Sequence, residues 1–284
     1  GREPTADGPT WVEGRCSSFG GDMAFFPLID LLKDRFEIEE TDSEPEVAGK
    51  VEAGVRRLGS GLAESEPFLK HLLAVDAGEG AVTTMDPQMR KLRTFDSLRD
   101  LLLAEAAVRP LVVLVEDLHW IDPLSEQFLV WFAEAVPDHP LLLVLTARRG
   151  YDLQTPSTLI DLQNLSGTES AAVAQGLLGA ETLPVELEGL IHRKAEGNPF
   201  FVEEVTRSLL ETGAIRRSGA GFVLAQRVEE IFVPDTVQDV IMARLDRLPE
   251  APKHVLQTAS VVGREFTARL LERVVESSGL RVQG

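Results

Sequence analysis

The fold of this 284-residue chain is decided by Leu111-Val112-Val113-Leu114-Val115-Glu116-Asp117. Five apolar residues in succession are typical of a strand that is buried on both faces of a parallel sheet. Two acids, Glu116 and Asp117, follow at the carboxyl end of that strand. Because ligands of open parallel sheets bind at this end of the strands, the stretch predicts an α/β fold with an acidic site at the edge of its sheet.

Strands and helices alternate around this stretch. A second apolar run, Leu141 to Leu145, predicts a neighbouring strand, and an amphipathic pattern that ends before Pro110 predicts a long helix. The apolar positions of that helix are Leu92, Phe95, Leu98, Leu101, Leu102 and Ala106. Asp122 and Pro123 are typical of a capped helix start. The inner stripe of this next helix is predicted at Leu124, Phe128, Leu129 and Phe132. Such alternation predicts α/β layers around a parallel sheet.

The N-terminal part of the chain continues the alternation. Trp11 to Arg15 alternates apolar with polar residues and predicts a short strand, and Phe25 to Phe36 has helical spacing. Residues 37–50 hold many acids and few large apolar groups, which predicts an exposed connection. Two further helices are expected up to about Val75, and Ala77 to Pro87 predicts a glycine-bearing loop.

The pattern changes to successive helices from about Ser166, which places a boundary between residues 150 and 166. Helices are predicted over residues 168–178, 184–195, 199–212, 235–247 and 251–260. Between two of them, a glycine-rich turn flanked by short apolar pieces predicts a small hairpin from Ala214 to Leu224.

Charge and cysteine content exclude several classes of protein. The net charge of −18 would repel a phosphate backbone, so nucleic acid is not expected as a direct partner. A single cysteine, Cys16, cannot form an internal disulfide or a cysteine-rich zinc site, which suits a reducing compartment. Apolar runs are far shorter than the roughly 20 residues of a membrane helix, and the residues from Gly1 to Gly8 do not resemble a secretory signal. We therefore expect a cytoplasmic location without membrane contact.

The acid pair has the chemistry that nucleotide hydrolysis requires. One carboxylate can hold Mg²⁺, usually through water, while the other orients the attacking water. Glu116 and Asp117 together can supply both roles. The alternative is that a buried strand merely ends in polar residues.

The second predicted strand brings further polar groups to the same edge. Thr146 and Arg148 follow Leu141 to Leu145 directly, and a guanidinium at this position can sense a γ-phosphate. The alternative is that Arg148 only neutralises the neighbouring carboxylates. His119 lies close to the acid pair, but no Gly-x-Ser-x-Gly motif accompanies it, so we expect it to shape the loop rather than to act in acid/base chemistry.

No glycine-rich phosphate loop occurs in the sequence. The only Gly-Lys pair is Gly49-Lys50, with Val51 where a Walker A motif needs Ser or Thr and Glu44 where it needs its first glycine. A Gly-x-Gly-x-x-Gly motif is also missing, which argues against an NAD or FAD enzyme. Because the chain opens at what looks like a second strand, we expect a preceding strand, loop and helix of about 30 residues to be lacking.

At Val115-Glu116-Asp117-Leu118-His119-Trp120-Ile121-Asp122-Pro123 the sequence resembles the signal-transduction ATPases with numerous domains, a branch of the AAA-related P-loop ATPases. The resemblance continues through Glu13 to Cys16 with Pro27-Leu28, Leu145 to Arg148, Glu196 to Glu204, Val233 to Val237 and Arg244 to Pro249. It thus covers nearly the whole chain. It implies a P-loop NTPase-like α/β domain that binds ATP or ADP with Mg²⁺.

The resemblance also assigns roles to individual residues. Glu116 looks like the Walker B magnesium acid, Asp117 like the adjacent catalytic acid and Arg148 like the sensor residue. The family often has Asp at the first of these positions. Pro199, in Gly197-Asn198-Pro199, looks like the proline of a helical lid that approaches the nucleotide base, and the alternative is an ordinary helix start.

The implied organisation has three parts. These are a truncated nucleotide-binding domain over residues 1–165, a helical lid with a small hairpin over residues 166–232 and a partial winged-helix-like region over residues 233–284. Such modules are often attached to class III adenylate or guanylate cyclases, LuxR-type DNA-binding domains or protein kinases, commonly with tetratricopeptide-like repeats. A nucleotide-dependent regulatory switch with slow hydrolysis is therefore expected.

Two rival functions stay open. One is an interaction scaffold that kept the fold and lost nucleotide use. The other is a DNA-binding winged helix after Pro234, but its basic residues are interspersed with acids, which favours a solvated helix face. Those basic residues are Arg244, Arg247, Lys253 and His254.

Overall fold

The computed structural model of the chain describes residues 8–18, 23–75, 80–219, 221–225, 242, 245–246, 248–262 and 268–277. It divides into two compact units, Gly1–Thr158 and Leu159–Gly284. Each unit has a hydrophobic core of its own. Among the described residues, no helix combines the length and the apolar character that crossing a bilayer requires.

The first unit is a parallel sheet surrounded by helices. Its strands are β1 (Thr10–Arg15), β2 (Leu111–Glu116) and β3 (Leu141–Leu145), and its helices are α1 (Phe26–Arg35), α2 (Glu44–Leu58), α3 (Glu66–Leu72), α4 (Ala81–Thr84), α5 (Pro87–Val108) and α6 (Pro123–Ala133). The strand order is β1-β2-β3, and both pairs are parallel. The predicted α/β class with a parallel sheet is therefore confirmed, and the architecture is that of a P-loop NTPase-like fold.

Strand β2 lies in the middle of the sheet, and every residue from Leu111 to Val115 is buried. Leu111, Val113 and Val115 belong to the hydrophobic core of this unit, which residues of α1, α5 and α6 share. Phe128 and Phe132 of α6 are completely buried in the same core, and their rings stack with centroids 5.4 Å apart. The central strand and its continuation are therefore held in a well-packed environment.

Helix α1 covers the free edge of β1. The N–H groups of Glu13 and Arg15 donate to the side-chain oxygens of Asp34 and Asp30, each at 2.9 Å. A Cβ added at Gly14 would lie 2.1 Å from the carbonyl oxygen of Pro27, so α1 and β1 approach each other as closely as glycine allows. Exposed backbone donors of an edge strand are thereby satisfied by side chains.

Two predicted connections contain helices. Residues 37–50 were expected to be an exposed connection, but α2 begins at Glu44, because Ser43 and Glu46 form a reciprocal capping box around Pro45. The loop expected from Ala77 to Pro87 contains the short helix α4, and residues 76–79 lie outside the described part of the chain. Acidic composition was the misleading signal, since it also suits the first turn of a helix.

The second unit is a helical bundle with a hairpin. It contains α7 (Gly167–Leu178), α8 (Val185–Ala195), α9 (Pro199–Glu211), β4 (Ile215–Ser218), β5 (Gly221–Leu224), α10 (Glu250–Val262) and α11 (Ala268–Ser277). Strands β4 and β5 pair antiparallel, as the glycine-rich turn predicts. The helices predicted over residues 168–178, 184–195, 199–212 and 251–260 are confirmed to within two residues at each end.

Several predictions for the second unit are not tested. The helix predicted over residues 235–247 lies outside the described residues except for Met242, Leu245 and Asp246. The winged-helix-like region and the domain limits at residues 165 and 232 stay predictions.

Candidate functional site

The acid pair lies where the central strand ends. Glu116 is the last residue of β2 and pairs in register with Arg15, the last residue of β1. The side chain of Glu116 is 35% exposed, and that of Asp117 is 53% exposed. Both carboxylates can therefore be reached from solvent although they follow a fully buried strand.

Arg15 is the site residue that sequence reasoning did not assign. Its Nε lies 3.0 Å from Oε2 of Glu116, and its Nη2 donates to Oε1 of Glu13 at 2.6 Å. These partners raise the pKa of the Arg15 guanidinium, with Glu13 as the larger cause and Glu116 adding to it. The available signal was the parallel register, which places the last residues of β1 and β2 side by side.

Asp117 leaves the strand through an unusual backbone conformation. Its φ and ψ of 61° and 42° are left-handed, a region that Asp enters more readily than most residues. Its N–H donates to Oγ1 of Thr146 at 3.1 Å, and the N–H of Leu118 donates to the carbonyl oxygen of Thr146 at 2.9 Å. Thr146 therefore anchors the backbone that carries the second acid.

Arg148 lies over an aromatic ring rather than beside an acid. Its Cζ is 5.4 Å from the centroid of the Trp120 ring. Within the described chain, no carboxylate lies at salt-bridge distance from this guanidinium. The alternative in which Arg148 neutralises the acid pair is thus not the arrangement found here.

His119 and Asp122 do not form a catalytic pair. The His119 ring packs on Trp120 with centroids 4.2 Å apart, and its Nδ1 lies 4.0 Å from Oδ1 of Asp117. Asp122 is buried and caps α6, as predicted, by accepting the N–H groups of Leu124 and Ser125. The same Oδ1 also accepts the N–H of Phe25 at 3.0 Å. This geometry agrees with a loop-shaping role for His119.

The buried thiol of Cys16 adjoins the site. Burial raises its pKa to about 12, and the negative charges of Asp122 and Asp117 contribute to the increase. A thiol with this pKa is protonated at neutral pH, and the thiolate is the nucleophilic form. Cys16 therefore supplies packing and not nucleophilic chemistry.

Pro199 belongs to the second unit, where it begins α9. Asn198 caps this helix by accepting the N–H groups of Phe200 and Phe201 at 3.0 and 3.4 Å. Gly197 has a φ of 74°, and a Cβ added there would lie 2.3 Å from the carbonyl oxygen of Leu165. Gly197 therefore allows a close approach to the backbone of Leu165 in the same chain. The role of Pro199 toward a nucleotide stays a prediction.

The residues at the end of the sheet fit a magnesium nucleotide. Accessible carboxylate oxygens are ligands that Mg²⁺ prefers, and Mg²⁺ usually keeps several waters and takes phosphate oxygens besides one or two carboxylates. No group of three or more His, Cys, Asp or Glu side chains suited to a metal occurs in the described part of the chain.

Two family models match parts of the chain. The profile of the AAA ATPase domain matches residues 2–144, half of the chain, and that of a domain of unknown function, DUF8739, matches residues 166–217. An uncharacterised protein of Rhizobium meliloti is 28% identical over an alignment of 204 residues, and the match covers 68% of this chain and 19% of that protein. The chain thus spans about a fifth of the length of this relative. No solved structure matches the chain.

Proposed function

This chain belongs to the AAA ATPase domain family, and from that membership we propose that it is a nucleotide-operated switch in a multidomain signalling protein of the cytoplasm. The observation that carries the proposal is the position of Glu116 and Asp117 at the carboxyl end of the central buried strand. Thr146 and Arg148 follow the adjacent strand at the same edge. Ligands of open parallel sheets bind at this edge.

Each of the four residues has a proposed task. Glu116 would hold Mg²⁺, either directly or through water, and Asp117 would orient the attacking water. Thr146 fixes the backbone of Asp117 through its hydroxyl. Arg148 donates to a terminal phosphate, because its guanidinium N–H groups are not used by a described carboxylate. Bound Mg²⁺ supplies charge neutralisation at the phosphates.

The proposed signalling role is based on the resemblance of the sequence, and the size of the relative is compatible with it. The matched region is 19% of the Rhizobium meliloti protein, which leaves room for further domains in that protein. We propose that the state of the nucleotide is transmitted to attached output domains, such as a cyclase, a kinase or a DNA-binding domain, and to repeat domains. A ligand shifts such a switch by binding two conformations with different affinity.

Nucleotide binding and hydrolysis test the proposal. They are measured on the full-length natural protein, with fluorescent ATP and ADP analogues and with phosphate release. We expect Asp117→Asn to keep nucleotide binding and to lower hydrolysis by about 10² or more, because it removes the group that orients water. Glu116→Gln is expected to weaken the dependence of binding on Mg²⁺.

A matched control is Glu64→Gln, which changes an exposed acid outside the site. This variant is expected to bind and hydrolyse nucleotide like the wild type. If neither ATP nor ADP binds to the wild type, the switch is wrong and the interaction scaffold is favoured. If both site variants hydrolyse ATP at the wild-type rate, the assignment of the acid pair is wrong.

A further inference from the structure

Arg148 and Trp120 form a contact that the proposed function does not explain. Arg148 is exposed, and its guanidinium lies over the Trp120 ring. The distance from Cζ of Arg148 to the centroid of the ring is 5.4 Å. Trp120 is partly buried and packs against the core of the first unit. An exposed, flexible side chain is thus placed on a ring that the core holds.

The loop that carries Trp120 is tied to the strand end that carries Arg148. The N–H of Trp120 donates to the carbonyl oxygen of Asp117 at 2.9 Å, and Leu118 between them is buried. The N–H of Leu118 donates to the carbonyl oxygen of Thr146, two residues before Arg148. These hydrogen bonds connect the loop after Asp117 with the end of β3. The Trp120–Arg148 contact joins the same two segments through their side chains.

We propose that Trp120 is a positioning residue for Arg148, which its indole face holds beside the acid pair with the guanidinium N–H groups available for a terminal phosphate. This inference rests on the proposed function. A guanidinium that stacks on an aromatic face keeps its donors in the plane of the group, where a phosphate can accept them. A carboxylate partner would occupy the same donors.

The alternative is that Trp120 serves only to pack the core. Trp120→Leu removes the aromatic face and keeps an apolar side chain, while Trp120→Phe keeps a smaller aromatic face. The measured quantity is the ratio of the Kd for ADP to the Kd for ATP, determined on the full-length natural protein. Thermal unfolding checks that each variant is folded, and Trp120→Phe provides the test if Trp120→Leu is not.

We expect Trp120→Leu to lower this ratio about two- to fivefold, the range of an exposed cation–π contact, and Trp120→Phe to lower it less. Arg148→Leu is expected to lower the ratio further, and adding Trp120→Leu to it should have no additional effect, because the two residues act together. A matched control is Trp131→Leu, which removes the ring that lies 5.1 Å from Cζ of Arg99 outside the site. This control should leave the ratio unchanged.

The outcomes separate the inference from the proposed function. If the wild type binds neither nucleotide, the proposed function is wrong and the inference falls with it. If nucleotides bind but the effects of Trp120→Leu and Arg148→Leu on the ratio add, the inference alone is wrong. The Trp120–Arg148 contact can also be tested in the absence of nucleotide, by the NMR chemical shift of the Trp120 indole N–H. Arg148→Leu should change this chemical shift, and Arg99→Leu should not.

Discussion

Asp117 combines a side chain for chemistry with a left-handed backbone, and the two requirements can be separated by substitution. Asn enters this backbone region as Asp does, whereas a β-branched residue is strained there. We expect Asp117→Asn to change the free energy of unfolding by less than about 0.5 kcal/mol and Asp117→Val to lower it by about 1–2 kcal/mol. Urea denaturation measures both. Equal stability of the two variants would contradict the assigned conformation.

The raised pKa of Cys16 predicts that the folded chain loses stability at alkaline pH. Its pKa is raised from 9.0 to about 12 in the folded chain, so folding favours the protonated thiol. This contribution is fully present below pH 9 and is lost as the pH rises toward 12. The unfolding free energy of the wild type should therefore fall more steeply between pH 9 and about 10.5 than that of Cys16→Ala.

Alkylation provides the second readout for Cys16. At pH 8 the thiol should react with iodoacetamide far more slowly in the native chain than in urea, because the thiolate is scarce and the side chain is buried. Equal alkylation rates in the native chain and in urea would show that the thiol is not buried and that its pKa is not raised.

At the scale of elements, the cap of α6 does more than begin a helix. Asp122 is buried and also holds the N–H of Phe25, whereas Asp86 caps α5 at an exposed position. We expect Asp122→Ala to lower the free energy of unfolding by about 2 kcal/mol or more, because two capping bonds and the bond to Phe25 are lost together. The control Asp86→Ala should cost about 1 kcal/mol. Chemical denaturation compares them, and equal losses would contradict the role of the bond to Phe25.

The contact between β1 and α1 gives a second comparison. Gly14→Ala places a methyl group against the carbonyl oxygen of Pro27 and should lower the free energy of unfolding by about 1–3 kcal/mol. Gly49→Ala, inside the exposed face of α2 with open space around it, should raise it by about 0.5–1 kcal/mol. If both substitutions shifted the melting temperature in the same direction, the crowded environment of Gly14 and the open environment of Gly49 would be contradicted.

At the scale of the whole molecule, the segment between the two units is the expected site of proteolysis. Residues from Tyr151 to Leu165 contain no helix or strand, and the side chains of Leu159, Ile160 and Leu162 are 88%, 77% and 82% exposed. Thermolysin cuts before such residues, and exposed irregular segments are its preferred substrates. The first fragments, identified by mass spectrometry, should therefore end near Thr158. First cuts inside α5 or α9 would contradict this prediction.

The sequence predicts the parts of this molecule that one local pattern determines. The apolar run from Leu111 to Val115 can only be a buried strand, and Asp122 with Pro123 is recognisable as a helix start. The two helices expected before Val75 are α2 and α3, but the start of α2 at Glu44 was missed because its acids suit both an exposed connection and a first turn. Arg15 was missed as a partner of Glu116 because 101 positions separate them, and only the register of two strands brings them together.

The candidate site follows the same rule. Sequence spacing places Thr146 and Arg148 at the edge of the sheet, but it does not show that Thr146 bonds to the backbone of Asp117 or that Arg148 lies on Trp120. The first contact involves the N–H of Asp117, a residue whose left-handed backbone the spacing does not reveal. Tertiary geometry of this kind has no local signature in the chain.

The side chains of Asp30 and Asp34 determine at which edge the sheet can accept a further strand. Each already accepts the outward N–H group that an incoming strand beside β1 would need. Strand β3 has β2 as its single strand neighbour in the part of the chain that the structure describes. An additional strand, from the same polypeptide or from another copy, would therefore join beyond β3. It would then run past the strand end from which Thr146 and Arg148 emerge.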